Sequence, residues 1–270
     1  MGLYKPSELH KLGVRAKKRY SQNFLIDQNI LEKICKSADV KEGDHILEIG
    51  PGPGALTEKL LEKGAIVHAI EKDPELAEKL QGLKSDRLQI TEGDALTCPL
   101  NLKHPTKVVA NLPYNITTPL IERFVHLHPP VTSLTVMVQK EVGERMTAKI
   151  NTPQYSSFTL FLSAYSSPKY CFTVKPNSFY PAPSVHSCVI HMPLHPFPYS
   201  FSEEGFFLMT RTAFNQRRKM LRSTLKKIYD PEILEMGLAA VNIAPTVRPQ
   251  ELSLEDFAKL YAACEKSKPQ

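Results

Sequence analysis

The 270-residue sequence predicts an α/β fold in which a mostly parallel sheet carries an antiparallel edge hairpin and is followed by a small all-α domain. Three observations predict this architecture. Five short apolar runs alternate with helical patterns, two further runs follow with no helix between them, and a helical pattern extends from a proline cluster to the end of the chain. Parallel neighbours require crossover helices and a hairpin does not, so the break in the alternation predicts the antiparallel edge.

Three of the predicted helices have recognisable starts. Asp73 before Pro74 is typical of a capping residue and a first helical turn, and Thr118 before Pro119 indicates another start of this kind. The S-x-x-D pattern at residues 253–256 predicts a capping box for the last helix. The predicted strands of the parallel part are His45–Ile49, Ile66–Ile70, Leu88–Thr91, Lys107–Ala110 and Leu134–Val138.

The edge hairpin and a domain boundary follow. After a helical pattern around Tyr155–Ala164, the runs Lys169–Val174 and His186–Met192 predict the two strands of the hairpin. Three prolines between positions 193 and 198 then interrupt the pattern. We therefore expect one domain over residues 1–192 and a second over residues 193–270.

Composition excludes several classes of protein. With 42% hydrophobic and 23% charged residues, the chain is predicted to be neither disordered nor a coiled coil. No apolar run approaches the roughly 18 residues of a membrane span, and no apolar stretch of a secretion signal follows the basic amino terminus. We expect a soluble, cytoplasmic protein that does not enter a membrane.

The cysteines and histidines indicate neither a disulfide framework nor a metal site. Five cysteines are widely scattered without a C-x-x-C pair, which predicts reduced and mostly buried side chains. The tightest group of metal-ligand residue types lacks the close pairs of structural zinc sites, so we expect no bound metal. Its members are His186, Cys188, His191 and His195.

Positive charge is concentrated in two segments. Residues 1–24 hold six bases and one acid, and residues 211–227 hold seven bases and no acid. These segments together carry a formal charge of +12, whereas the rest of the chain carries −6. The distribution favours a polyanionic partner, above all nucleic acid. Solvated surface faces are the alternative for each segment.

A glycine-rich turn follows the first predicted strand. The sequence from Glu48 to Gly54 is E-I-G-P-G-P-G, which is neither a phosphate-binding G-x-x-x-x-G-K-S/T loop nor the dinucleotide motif G-x-G-x-x-G. Glycines let a ligand approach the backbone, while the preceding acid would repel a pyrophosphate. A nucleoside ligand without phosphates fits, with Glu71 after the second strand accepting from ribose hydroxyls. A tight structural loop is the alternative.

The segment Asn111–Tyr114 (N-L-P-Y) lies just past the fourth predicted strand, where open α/β sheets bind ligands. It resembles the [Asn/Asp/Ser]-x-Pro-[Tyr/Phe] motif of S-adenosylmethionine-dependent amino-methyltransferases. More closely, the whole set of motifs resembles the family of ribosomal RNA adenine N6-dimethyltransferases that modify the small subunit. That set consists of Ser21–Leu25, Glu48–Gly54, Glu71, Gly93–Ala95, Asn111–Tyr114, Phe179–Val185 and Ala213–Lys219.

The resemblance implies a Rossmann-like S-adenosylmethionine-dependent methyltransferase domain, a helical rRNA-binding domain, and S-adenosyl-L-methionine as cofactor. It implies dimethylation at N6 of two adjacent adenosines in the 3′-terminal hairpin loop of small-subunit (16S) rRNA, within the small ribosomal subunit, by an enzyme that we expect to be a monomer. The implied cofactor contacts are Asn23, Leu25, Gly50, Gly52, Glu71, Asp94 and Asn111. The implied rRNA contacts are Arg217, Arg218, Lys219 and Arg222.

The chemistry of N6 methylation explains the predicted catalytic residues. The lone pair of the exocyclic nitrogen is delocalised into the adenine ring, so acceptors must hold its N–H groups and favour a pyramidal nitrogen. We predict that the side-chain carbonyl of Asn111 and the backbone carbonyl of Leu112 do so, in a turn fixed by Pro113. We predict that Tyr114 and Phe179 stack on a flipped-out adenine. Core packing is the alternative for both rings.

Two positions depart from the family pattern, and two other functions stay open. Ser184 and His186 stand where relatives often have Lys and Asp.

A large-subunit rRNA adenine methyltransferase of the macrolide-resistance type is the alternative within the enzyme class. A non-catalytic nucleic-acid-binding relative, serving as an assembly or transcription factor, is the alternative outside it. The intact Asn111–Tyr114 motif favours catalysis.

Overall fold

The computed structural model describes residues 22–127 and 129–267, together with isolated positions 9, 13, 15–17 and 20. It divides the chain into two compact units. The first unit runs up to Gly143 and includes Pro168–Leu194, and the second comprises Glu144–Ser167 and the chain from His195 onward. Ser21 and most of the basic amino-terminal segment lie outside the described residues.

The described strands form a seven-stranded sheet and a separate two-stranded ribbon in the first unit. They are β1 (Phe24–Leu25), β2 (His45–Ile49), β3 (Ile66–Glu71), β4 (Leu88–Glu92), β5 (Thr106–Asn111), β6 (Val131–Gln139), β7 (Lys169–Val174), β8 (Phe179–Tyr180) and β9 (Ser187–Pro193). The sheet order is β4-β3-β2-β5-β6-β9-β7. The first five strands in this order, β4, β3, β2, β5 and β6, pair in parallel with their neighbours. Strand β9 is antiparallel to both of its neighbours, β6 and β7. The predicted parallel sheet with an antiparallel edge hairpin is therefore confirmed.

The helices also follow the predicted order. They are α1 (Gln28–Ser37), α2 (Ala55–Glu62), α3 (Pro74–Leu80), α4 (Thr117–Val125), α5 (Lys140–Met146), α6 (Ser157–Ser163), α7 (Glu203–Phe214), α8 (Leu221–Leu225), α9 (Pro231–Ala240) and α10 (Leu254–Lys266). Two predicted caps are confirmed. The Asp73 side chain accepts from the Glu75 N–H at the start of α3, and Ser253 and Asp256 form the capping box of α10.

The predicted helix start, with Thr118 as the capping residue and Pro119 as the first helical residue, is wrong by two residues. Helix α4 begins at Thr117, and Ile116 before it supplies no side-chain cap. The Thr117 hydroxyl instead donates to the Pro113 carbonyl at 3.0 Å. The helix start is therefore set by the turn that precedes it.

The central strands are buried on both faces, which explains why their sequences are apolar runs rather than alternating patterns. Leu47 of β2, Ala69 of β3 and Val109 of β5 are fully buried. Polar residues occur where the strands end, as with Glu71 at the end of β3 and Asn111 at the end of β5. Because these strands are parallel, their polar ends lie at the same edge of the sheet.

Residues 144–167 belong to the second, helical unit, which differs from the boundary expected after residue 192. Every side chain from Phe158 to Leu162 in α6 is buried, so this helix requires apolar partners all round. The rings of Phe161 and Tyr165 lie 5.1 Å and 6.0 Å from the ring of Phe207 in α7. Burial of five consecutive side chains leaves no pattern in the sequence of α6 that would indicate the unit to which it belongs.

Among the described residues, no helix combines the length and the apolar character that crossing a bilayer requires. Within the same residues, no three His, Cys, Asp or Glu side chains are grouped as metal ligands would be. The five cysteines, all in the described part of the chain, form no disulfide. In the histidine-containing strand β9, Nδ1 of His191 shares a hydrogen bond with the Thr135 hydroxyl at 2.8 Å.

Candidate active site

A cleft opens at the carboxyl ends of β2, β3, β4 and β5, within the first unit. The cleft and the open mouth above it together enclose about 1210 Å³, solvent space included. Four strand ends and the segment before α1 contribute to its wall. Predicted site residues that line it are Asn23, Leu25, Gly50, Gly52, Glu71, Asp94, Asn111, Leu112, Pro113 and Tyr114.

Alternating glycines and prolines shape the turn after β2. Gly50, Gly52 and Gly54 have φ angles of 63°, 60° and 100°, a region that favours glycine. The prolines between them have a fixed negative φ. A side chain at Gly52 would also crowd the Phe24 ring, because a Cβ atom there would lie 3.1 Å from a ring carbon. The G-x-G-x-G spacing is therefore a requirement of the backbone.

Glu48 precedes this turn and is only 1% exposed. Its Oε2 accepts from the Thr57 hydroxyl of α2 at 2.7 Å. Burial raises the pKa of Glu48 to about 8 in spite of this hydrogen bond, and the nearby Glu71 carboxylate acts in the same direction as burial. Burial thus favours the uncharged form of the carboxyl, so the repulsion of a pyrophosphate predicted for Glu48 is weakened.

Glu71 is held by two backbone N–H groups. Its Oε2 accepts from Gly52 at 3.0 Å, and its Oε1 accepts from Asp73 at 2.8 Å. Each oxygen retains a second lone pair for a ligand hydroxyl. Burial raises the pKa of Glu71, and the two N–H donors oppose this shift. The carboxylate is therefore fixed in direction and able to accept from a ligand.

Asp94 lies in the turn after β4. Its Oδ2 accepts from the Lys72 ammonium at 2.7 Å, and its Oδ1 accepts from the Leu96 N–H at 2.9 Å. These two donors, Lys72 above all, hold the pKa of Asp94 below its ordinary value, so it is a carboxylate at neutral pH. Arg123 of α4 donates to two backbone carbonyls of the same turn and fixes it.

Asn111 is oriented by a segment far from it in sequence. Its Nδ2 donates to the backbone carbonyl of Asn23 at 3.2 Å. Because the amino end of the amide is engaged, Oδ1 is the end that can accept from a ligand. The turn that follows is fixed by the Pro113 carbonyl, which accepts from the Ile116 N–H at 3.2 Å and the Thr117 hydroxyl at 3.0 Å.

Tyr114 is half-buried in the cleft wall, and its hydroxyl is bonded to Ser187. The two oxygens are 2.7 Å apart, and Ser187, the first residue of β9, is fully buried. Burial raises the pKa of Tyr114, so the phenol stays protonated at neutral pH. The ring is anchored at its polar end while it lines the cleft.

Phe179 lies in the core of the first unit. The sequence instead predicts that its ring stacks on a flipped-out adenine. Its side chain is 3% exposed and belongs to a hydrophobic cluster that includes Phe24 and Leu25. In β8 it pairs with Leu25 of β1. Its ring offers no exposed face to a base in this structure, and the core-packing alternative describes its position.

The basic segment of the second unit is not one helix. Helix α7 ends at Phe214, and residues 215–219 form a turn before α8. Arg218, Lys219 and Arg222 are exposed. Two of these predicted rRNA contacts therefore lie in the turn, and the third lies at the start of a short helix.

Among the described residues of the two basic segments, two bases bind partners within the protein. Arg217 donates through both Nη atoms, to the Thr152 carbonyl at 3.0 Å and to the Pro153 carbonyl. Lys17, in the amino-terminal segment, lies 2.8 Å from an Asp73 oxygen. Net charge alone therefore overstates the number of bases that are available to a polyanion.

The sequence did not predict three residues that support the site. Lys72 pairs with Asp94, Arg123 fixes the turn after β4, and Ser187 holds Tyr114. Lys72 directly follows the last residue of β3, so its position at a strand end was a usable signal. The other two come from distant segments, and no local pattern identifies them.

A family model described as ribosomal RNA adenine dimethylase matches residues 13–266. The chain belongs to the ribosomal RNA adenine dimethylase family. A ribosomal RNA small subunit methyltransferase A from Protochlamydia amoebophila is 47% identical to this dimethylase-family chain over 275 aligned residues, covering 97% of each protein. A protein of the same name from Chlamydia trachomatis serovar L2 is 46% identical over 265 residues, covering 94% of each.

Solved structures show the same fold. A dimethyladenosine transferase from Plasmodium falciparum has a TM-score of 0.75 at 25% identity, covering 88% of this chain and 95% of that one. The 23S rRNA methyltransferase ErmE has a TM-score of 0.71 at 22% identity, and the match covers 90% of this chain and 100% of that one. This family member therefore has the S-adenosylmethionine-dependent methyltransferase fold that its sequence predicts, and its activity class is methyl transfer to rRNA.

Proposed function

We propose that this member of the dimethylase family uses S-adenosyl-L-methionine to dimethylate, at N6, two adjacent adenosines in the 3′-terminal hairpin loop of small-subunit (16S) rRNA, within the small ribosomal subunit. The observation that carries the proposal is the Asn111–Tyr114 segment, whose amide acceptor and aromatic ring line one cleft together with the Glu71 carboxylate. The small-subunit names of the two relatives described above support the choice of subunit.

The cleft suits the proposed cofactor chemically. Glu71 and Asp94 are acceptors for ribose hydroxyls and for an adenine amino group. Gly50 and Gly52 allow close approach to the backbone, and Asn23 lines the same wall. When bound, S-adenosylmethionine supplies a methyl group that its sulfonium centre has already activated. The residues present therefore fit this group.

The protein's own residues have the task of positioning the adenine amine. Asn111 Oδ1 and the Leu112 backbone carbonyl accept from the two N6–H groups, which favours a pyramidal nitrogen with an available lone pair. The bond from Asn111 Nδ2 to Asn23 keeps the acceptor end of the amide directed at the substrate. Tyr114 provides a ring face on which a flipped adenine stacks, and Ser187 restrains that ring. Positioning is sufficient because the methyl donor needs no further activation.

Methylation of cytosine at C5 fits this cleft less well, because that reaction needs a cysteine thiolate. The sequence contains no Pro-Cys dipeptide, and no cysteine is found among the described residues that line the cleft. Ser184 and His186, which depart from the family pattern, are exposed and lie outside the cleft wall. Neither residue is therefore assigned to the cofactor or to the base.

Binding of rRNA is assigned to the exposed bases Arg218, Lys219 and Arg222 of the second unit, and Arg217 is assigned a structural role. We assign catalysis to the first unit and RNA binding to the second, helical unit. We also propose that the enzyme acts as a monomer, because one chain contributes every residue assigned to the cofactor and the base. We propose that it acts in the cytoplasm.

Identification of the methylated product tests this function. Purified protein and labelled cofactor are incubated with unmodified small subunits and, separately, with large-subunit RNA, and the digested nucleosides are identified. We expect dimethyladenosine at two adjacent positions of small-subunit rRNA. Dimethyladenosine only in large-subunit RNA would support the macrolide-resistance type of enzyme. No transfer to either RNA would support the non-catalytic alternative.

A further inference from the structure

The ribbon of β1 and β8 joins two segments that are far apart in sequence. Its strands pair antiparallel, with Leu25 opposite Phe179. The Ile26 N–H donates to the Ser178 carbonyl at 2.9 Å and extends the ribbon beyond the strands. Each strand has only two residues, and such a short ribbon is marginally stable without further support.

A side-chain hydrogen bond closes one end of this ribbon. The Ser178 hydroxyl donates to Oδ2 of Asp27 at 3.1 Å, and Ser178 is 7% exposed. Oδ1 of the same carboxylate accepts from the N–H groups of Asn29 and Ile30 and caps α1. Asp27 therefore connects the start of α1 to the segment that leads into β8.

The other end of β1 contacts the catalytic motif. Asn23 immediately precedes β1, and its backbone carbonyl accepts from Asn111 Nδ2 at 3.2 Å. A backbone carbonyl cannot rotate independently of its own strand, so its direction follows the position of the ribbon. The orientation of the Asn111 amide therefore depends on how firmly β1 is held.

We propose that Ser178 and Asp27 are positioning residues for methyl transfer, because their hydrogen bond holds β1 and β1 in turn orients the Asn111 amide. Without this bond the ribbon loosens, and the amide is free to turn its Nδ2 towards the substrate amine. A donor in that place cannot accept from the N6–H groups. Phe179 contributes by packing the ribbon into the hydrophobic cluster. This inference rests on the proposed function for the role of the Asn111 acceptor.

The substitution Ser178→Ala removes the bond to Asp27 and one hydroxyl. We expect kcat at saturating cofactor and small subunits to fall about tenfold, because misalignment by less than an ångström is costly when positioning supplies the catalysis. KM for the small subunit should not change. The matched control is Ser163→Ala, which removes a hydroxyl that donates to the Thr159 carbonyl at 2.8 Å in α6, and it should retain the wild-type kcat.

A double-mutant cycle tests whether Ser178 acts through Asn111. An aspartate at position 111 lacks the N–H that the Asn23 carbonyl accepts, while the amino-methyltransferase motif tolerates Asp at this place. Ser178→Ala should therefore cause no further loss in the Asn111→Asp background. An equal loss of kcat in both backgrounds, or an unchanged kcat in Ser178→Ala alone, would overturn the inference.

A second readout needs no substrate. The side-chain amide signals of Asn111 can be assigned in the NMR spectrum because they disappear in Asn111→Asp. In Ser178→Ala we expect these signals to shift and their protons to exchange faster with solvent. Unaltered signals would overturn the inference even if the wild-type protein dimethylates small-subunit rRNA. A wild-type protein that methylates no RNA would overturn the proposed function instead, and the amide signals would still decide whether Ser178 orients Asn111.

Discussion

The two units of the molecule use polar side chains in opposite ways. At the cleft of the first unit, Glu71 and Asn111 are each held by backbone partners that fix their direction. In the second unit, Arg218, Lys219 and Arg222 are exposed to solvent. A held group can align a reacting atom, whereas an exposed base can neutralise a phosphate. Changes in the first unit should therefore alter the rate or the cofactor affinity, and changes in the second should alter RNA affinity and its salt dependence.

Loss of the amide acceptor should have the largest effect. Asn111→Ala should lower the single-turnover methylation rate by about 10²–10³-fold, the range found when a preorganised polar group is removed from an active site. RNA affinity should stay at the wild-type value at every salt concentration. A rate within tenfold of the wild type would mean that the N6–H groups are held by other acceptors.

Removal of the aromatic ring should have the next largest effect on the rate. Tyr114→Ala should lower the rate at saturating cofactor about ten- to hundredfold, since stacking on a base contributes about 1–3 kcal/mol. Tyr114→Phe is the matched control, because it keeps the ring and loses only the hydrogen bond to Ser187. It should lose less than tenfold. Equal losses in the two variants would count against stacking.

Loss of the Glu71 carboxylate should instead change cofactor affinity. Glu71→Ala should weaken the binding of S-adenosylmethionine, measured by calorimetry, about ten- to hundredfold, because it removes charge-assisted hydrogen bonds. The single-turnover rate at saturating cofactor should change little, since ribose contacts are equal in ground and transition states. Glu92→Ala, at the exposed end of β4, is the control. Unchanged affinity in Glu71→Ala would remove Glu71 from the cofactor site.

The exposed bases should determine the salt dependence of RNA binding. Replacing Arg218, Lys219 and Arg222 together by Ala should flatten the slope of log affinity against log salt by about two to three, because each phosphate contact contributes roughly 0.7–0.9. Cofactor affinity should not change. A salt slope equal to that of the wild type would show that these bases form a solvated face.

The smallest expected effects distinguish two adjacent arginines, Arg217 and Arg218. Arg217→Ala should speed amide hydrogen exchange around Thr152, because it removes hydrogen bonds together worth about 1–2 kcal/mol. Arg218→Ala should leave that exchange unchanged and flatten the salt slope by about one. Identical behaviour of the two variants would contradict the distinction between an engaged base and an exposed base.

Local patterns were sufficient for the features that depend on neighbours in sequence. The apolar runs of the central strands are readable because both faces of the sheet are buried. The caps at Asp73 and Ser253 are readable because the capping side chain bonds N–H groups two or three residues away. The ends of the predicted strands then placed Glu71 and Asn111 at the edge of the sheet where open α/β folds bind ligands.

Contacts between distant segments explain what local patterns missed. Arg217 and Thr152 are 65 residues apart, and Ser178 and Asp27 are 151 residues apart, so neither contact leaves a local signal. An aromatic residue beside a proline turn is equally compatible with stacking on a ligand and with packing in a core. Phe179 packs in the core because β8 pairs with β1, and strand pairing over that separation is set by the tertiary fold.

The most direct test of the separation between chemistry and RNA binding is single-turnover methylation of small subunits at saturating cofactor and saturating RNA. Two proteins are compared with the wild type, namely Asn111→Ala and the variant in which Arg218, Lys219 and Arg222 are all replaced by Ala. We predict a loss of about 10²–10³-fold in the first and a wild-type rate in the second. A comparable loss in the second variant at saturation would contradict the account, because the exposed bases would then take part in the chemical step.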